Sequence, residues 1–141
     1  MEYLIGLVLA AGVAGFAVIV GFDRERSFYA TALIVIATYY VLFAVQGASA
    51  RTLVIEIIVA GVFSAIAALG FRTNLWLVAA ATIGHGVFDF LHHLFIENPG
   101  VPLWWPGFCG AFDVIFGAFL AMRLLTRSRF ELNRIVMPER S

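Results

Sequence analysis

Five stretches of this 141-residue chain, 3–22, 27–47, 52–71, 74–96 and 106–125, are long and almost wholly apolar. A helix needs about 20 such residues to cross the hydrocarbon core of a bilayer. The five runs occupy nearly the whole sequence, which leaves no room for a soluble domain. With 62% hydrophobic and 13% charged residues, the chain lies far from the soluble average of about half apolar and a quarter charged. The expected fold class is therefore all-α. It is an integral membrane bundle of five transmembrane helices over 1–125, followed by a basic tail at 126–141.

The charges set the expected orientation. Every basic residue is arginine. In a five-span chain, Arg24, Arg26 and Arg72 share one side with Arg123, Arg127, Arg129, Arg134 and Arg140, and only Arg51 lies on the other. The positive-inside rule then places the N-terminus outside and the C-terminus in the cytoplasm. Trp104 and Trp105 fall at the outer interface and Trp76 at the inner one, where aromatic belts form. The first run has no basic stretch before it and no small-residue cleavage site, so it reads as a retained helix and not a signal peptide. The implied location is the inner (plasma) membrane of a bacterium. Cys109 is the single cysteine, so no disulfide forms within the chain.

Ionisable side chains interrupt this apolar background in one place. His85, His92 and His93 are all the histidines of the chain, and Asp89 lies between them. Glu56 and Asp113 are the carboxylates of the third and fifth runs. Ionisable groups are costly in lipid, so their clustering points to function. At a rise of about 1.5 Å per residue, Glu56 and His92 lie roughly 6–7 Å below the outer end, and Asp89 and Asp113 roughly 10–12 Å. His85 is deeper, about 16–18 Å in and near the midplane. At about 100° per residue, His85, Asp89 and His92 share one helix face, and His93 widens the arc. Gly84 and Gly86 flank His85 and leave space for a neighbouring helix or a ligand. Small residues in the first run, Ala10 with Ala14 and Ala11 with Gly15, favour close helix packing.

Imidazole and carboxylate together suit zinc first, and also iron, manganese or copper. The expected metal ligands are His85, Asp89, His92 and His93, with Glu56 and Asp113 as catalytic carboxylates. That pattern describes a metal-dependent membrane enzyme acting on a lipid or other apolar substrate that enters from the bilayer. Two other readings use the same residues. One is a proton or metal-ion transporter, for which only Thr82 and Ser64 continue the polar line inward. The other is a structural subunit of a membrane complex, with the polar residues paired across helices. Five helices enclose little interior, which leaves room for a homo-oligomer. Nothing points to nucleic acid, since there is neither a glycine-rich phosphate loop nor a soluble basic surface.

The segment Gly84–Gly117 carries His85-Gly86-x-x-Asp89-x-x-His92-His93, then Trp105-Pro106-x-x-Cys109-x-x-x-Asp113. In these residues it resembles a family of small uncharacterised bacterial multi-pass membrane proteins, a likeness that implies no activity. The His-x-x-x-Asp element is also similar to the seven-span zinc hydrolases that include alkaline ceramidases. Those enzymes hold zinc with three histidines and an aspartate, which implies hydrolysis of a lipid amide or ester. The chain departs from them in its five spans and in lacking a late His-x-x-x-His.

Overall fold

A computed structural model describes the backbone of residues 1–136 and the side chains of residues 1–129. The described residues form five long helices: α1 (Glu2–Val20), α2 (Arg26–Gly47), α3 (Ala50–Arg72), α4 (Leu75–Phe95) and α5 (Trp105–Val136). A short 3-10 turn, Phe22–Arg24, links the first two. All five are long and apolar enough to cross a membrane. Helices satisfy their own backbone groups, which is what an apolar medium demands of a spanning segment. The first four match the expected runs to within two residues at each end. The fifth differs: the segment expected as a separate tail continues α5 as far as Val136, while residues 137–141, with Arg140, lie outside the described residues.

Local chemistry marks the helix boundaries. α1 stops at Gly21, whose φ of 92° is the left-handed conformation that suits glycine at a C-cap. Ser49 caps α3 by accepting from the Thr52 amide at 3.1 Å, and Asn74 caps α4 by accepting from the Trp76 amide at 3.0 Å. Arg26 closes the other end of α3, donating to the carbonyls of Gly70 and Phe71 at 3.3 and 2.8 Å. That arginine therefore does structural work beyond biasing orientation.

α4 lies at the centre. It packs against α5 and α3 and touches α2; α1 packs on α5, and α2 on α3. Its buried residues, Leu75, Val78, Ala79, Thr82, His85, Gly86, Asp89 and His92 among them, follow the three-and-four spacing of one helix face. Its opposite face, with Trp76, Gly84, Val87 and Leu94, is exposed. Glycines set the closeness of α4 and α5. A Cβ on Gly86 would lie 2.9 Å from the Gly110 carbonyl oxygen and 3.0 Å from Asp113 Cβ. Gly84, by contrast, has nothing near it. The space beside His85 is thus filled on one side, by α5, and open on the other. On α1 the packing stripe is Gly6, Ala10, Ala14 and Ala17. The alternative pairing of Ala11 with Gly15 faces outward, and nothing lies near the Gly15 position.

Away from the polar cluster, Ala10, Tyr29, Leu33, Val78, Phe116 and Leu120 share a hydrophobic core. At that end of the bundle Asp23, buried in the 3-10 turn, pairs with Arg123, and Arg127 donates to the Asp23 carbonyl at 3.0 Å. These arginines tie the α1–α2 junction to α5.

Candidate functional site

The α4–α5 contact assembles a buried trio. His85 Nδ1 is hydrogen-bonded to Asp113 Oδ2 at 2.7 Å and lies 3.6 Å from Asp89 Oδ1. His85 and Asp89 sit one helical turn apart on α4, and Asp113 comes from the facing turn of α5. All three are essentially sealed: Asp89 and Asp113 have no accessible surface and His85 has 1%. Each can offer one ligand atom such that all three atoms lie within 4.8 Å of one another. A cation with bonds of about 2.0–2.2 Å holds its ligand atoms no more than about 4.4 Å apart. In a tetrahedral site such bonds put the ligand atoms about 3.3–3.6 Å apart, so the widest pair of the trio would close by about an ångström to grip an ion.

The hydrogen bonding within the trio is incomplete. Both Asp89 oxygens and Oδ1 of Asp113 are buried without a partner. The Tyr40 hydroxyl, also buried and without a partner, neighbours Asp89. So does Cys109, a buried thiol on α5. Among the described residues, no lysine or arginine pairs with the trio. Buried polar atoms are almost always satisfied in proteins. Four oxygens in this region, two of Asp89, one of Asp113 and the Tyr40 hydroxyl, lack a hydrogen-bond partner among the described residues.

His92 and Glu56 form a second, separate pair. His92 Nε2 is 2.8 Å from Glu56 Oε1, and the same oxygen accepts from Asn98 Nδ2 at 2.8 Å. Asn98 also donates to the Tyr40 carbonyl at 3.2 Å. The α4–α5 loop is pulled down onto α2 and α3 by these bonds and by Thr52, whose hydroxyl donates to the Glu97 carbonyl at 3.1 Å. Tyr40 joins the two centres. Its ring stacks on His92 with centroids 4.1 Å apart and lies 6.2 Å from the His85 ring.

The expected single constellation is thus divided. His85, Asp89 and Asp113 meet; His92 and Glu56 meet each other; His93 meets neither. His93 is exposed on the outer side of α4, because one residue beyond His92 turns the side chain by about 100°. Expecting His93 as a ligand is corrected accordingly, and His92 belongs to the Glu56 pair. Asp113, expected as a catalytic carboxylate, stands with the candidate ligands. The sequence reading missed Asn98, although an asparagine beside Pro99 and Gly100 in so apolar a chain was the available signal. It also treated Arg123 and Arg127 as orientation signals alone and did not pair them with Asp23.

Outside these centres, an apolar groove of about 600 Å³ runs between α1, α2 and α5, with Tyr39, Trp105, Cys109 and Phe112 along it. Cys109 therefore stands between the groove and the trio. Comparisons with protein-family models, curated proteins and solved structures find no match to this chain.

Proposed function

We propose that the chain is a multi-pass membrane protein with a metal-dependent enzyme site, in which His85, Asp89 and Asp113 hold the metal and a lipid or other apolar molecule is the substrate. The observation that carries this reading is Asp89. Its carboxylate is fully buried and neither oxygen has a hydrogen bond. A bare carboxylate in an apolar interior is strongly disfavoured. One divalent cation answers the free oxygens of Asp89 and Asp113 together and balances their two charges. The nitrogen and oxygen donors suit zinc, manganese or iron. Three protein ligands leave a coordination position open, as in catalytic sites.

Such an ion would supply Lewis acidity toward a carbonyl or a bound water. The chain's own groups frame that position. Tyr40 offers a hydroxyl beside Asp89, and the base expected at Glu56 becomes the Glu56–His92 pair, the carboxylate orienting the imidazole. The groove gives an apolar substrate a route from the bilayer to the Cys109 wall. The bundle is assigned to a bacterial inner membrane, and the arginine distribution supports its orientation, with the α4–α5 loop outside and the Asp23–Arg123 end in the cytoplasm. The likeness to small bacterial membrane proteins and to zinc hydrolases rests on the quoted residues alone.

Elemental analysis of untagged, detergent-purified protein beside Asp89→Asn tests the metal. One equivalent of a transition metal in the parent, lost in the variant, is the expected result. No metal in folded parent protein after reloading rejects the site. Ion or proton translocation then leads, favoured by the buried, partnerless hydroxyl of Tyr29, which extends the polar groups toward Asp23. Leu33, Val78 and Phe116 lie between and oppose that path.

A further inference from the structure

The register of α4 against α5 places a fourth side chain beside the trio. The two helices run antiparallel: Gly117 of α5 meets Ala79 and Ile83 of α4, and Gly110 meets Gly86 and Phe90. In the same register His85 meets Asp113 at 2.7 Å. One turn nearer the connecting loop, four residues on from His85 and four back from Asp113, stand Asp89 and Cys109. Side chains four apart lie on one helix face. The four residues therefore mark the corners of one patch, imidazole across from carboxylate and carboxylate across from thiol. Cys109 accordingly has Asp89 and Asp113 as its charged neighbours.

Those neighbours set this thiol apart from a packing residue. Free cysteine buried among apolar side chains acts as a small hydrophobe. Cys109 is buried, but it faces two buried carboxylates that no arginine neutralises among the described residues. Both oxygens of Asp89 and Oδ1 of Asp113 lack hydrogen bonds. Those oxygens call for a cation, and the sulfur bears on which cation it is. A tetrahedral ion takes four donors, of which the trio supplies three. The Cys109 sulfur lies outside the group of atoms within 4.8 Å of one another. Two features bring it to an ion held there. A metal–sulfur bond of about 2.3 Å is longer than bonds to nitrogen or oxygen, and rotation about χ1 moves the sulfur between staggered positions. The ion takes the place of the thiol proton, which is released.

We propose that Cys109 is the fourth ligand of the resting centre, its thiolate completing a set with His85, Asp89 and Asp113, and that the ion is zinc or iron(II) in preference to manganese. The proposal rests on the reading of the trio as a metal site. Thiolate selects ions of the zinc and iron class, whereas manganese favours oxygen donors. Three anionic ligands and a neutral imidazole on a divalent ion leave one net negative charge, as in zinc sites of three cysteines and one histidine. The set remains compatible with chemistry, because catalytic zinc takes cysteine ligands and expands to five-coordination. Cys109 also lines the apolar groove, so its sulfur stands between the ion and a molecule held there.

The test is cobalt(II) titration of the full, untagged chain in detergent without added thiol, beside Cys109→Ala and Asp89→Asn. An intense near-ultraviolet band of thiolate-to-cobalt charge transfer is the expected result, and Cys109 is the single cysteine from which it can arise. Zinc should displace the cobalt and abolish the band, and manganese should compete many-fold less well. Cys109→Ala should hold cobalt several-fold more weakly, without the band and with a smaller preference for zinc over manganese. Asp89→Asn should lose cobalt and band together. Cobalt bound to the parent with no band overturns Cys109 as a ligand and leaves the trio standing. A band that persists in Asp89→Asn puts the thiolate on a separate, adventitious ion and overturns the four-residue set. Manganese competing as well as zinc overturns the choice of metal. No cobalt in folded parent protein after reloading rejects the metal site itself. The decisive band is read on the parent chain and does not depend on a variant folding.

Discussion

His85 and Asp113 meet across the α4–α5 interface at 2.7 Å, both sealed from solvent. The bond joins residues that are 28 apart in sequence, and it is short because Gly86 and Gly110 let the two backbones approach. The polar contact and the glycine contact are neighbours on the same helix turns, so disturbing one disturbs the other.

Gly86→Ala should show this. Its Cβ would lie 2.9 Å from the Gly110 carbonyl oxygen, and backbone cannot give way as a flexible side chain can. Overpacking of this kind costs about 1–3 kcal/mol, and the trio should lose metal with it. Gly84→Ala meets nothing and should be neutral or slightly stabilising through helix propensity. Thermal unfolding in detergent with parallel metal analysis separates the two; equal effects would contradict the packing argument.

Asp89 and Asp113 should respond differently to amidation. Asp113→Asn weakens a made hydrogen bond to His85 and should destabilise the metal-free protein by about 1–3 kcal/mol. Asp89→Asn removes a carboxylate that no hydrogen bond satisfies, and should leave the metal-free protein as stable or more so. Both should abolish metal binding. Metal uptake by the parent should release protons and weaken as pH falls, because the imidazole and carboxylates must shed protons to ligate. Titration with proton counting in weakly buffered detergent solution measures this directly.

Asn98→Ala should loosen the α4–α5 loop without touching the trio. The variant loses the bonds to Glu56 and to the Tyr40 carbonyl. Faster hydrogen exchange at residues 97–103, with unchanged metal content, is the expected outcome. His93→Ala should change neither, since exposed substitutions usually fall within about 0.5 kcal/mol.

Arg123→Ala should be costly at the other end of the bundle. It leaves Asp23 buried without its cation. Breaking a fully buried pair costs about 3–5 kcal/mol; the Arg123 side chain is 34% exposed, so about 2–3 kcal/mol is expected here after screening. Asp23→Asn in the same chain should restore part of the loss, as chemical denaturation of the single and double variants would show.

The five helices were legible in the sequence because each is a local property. A run such as 52–71 is long and apolar whatever it packs against, and Gly21 can end α1 by its own backbone freedom. The residues of the cluster were legible for a similar reason: helical spacing put His85, Asp89 and His92 on one face of α4, and depth put Glu56, Asp89 and Asp113 in one layer, with His85 deeper. Depth and spacing could not say which partner each one meets. Glu56 lies in the same layer as Asp113, yet it pairs with His92.

What the sequence by itself determined is the helix count, the one polar layer and the arginine asymmetry, all written in runs and periods along a single chain. Only the tertiary structure decided that this layer holds two centres, that Tyr40 lies between them and that Asn98 locks one of them. It also decided that His93 faces outward and that Asp23 belongs to Arg123. Those outcomes depend on the rotation and approach of one helix against another. The approach of α4 to α5 is set by contacts such as Gly86 against Gly110, between residues that no local pattern links.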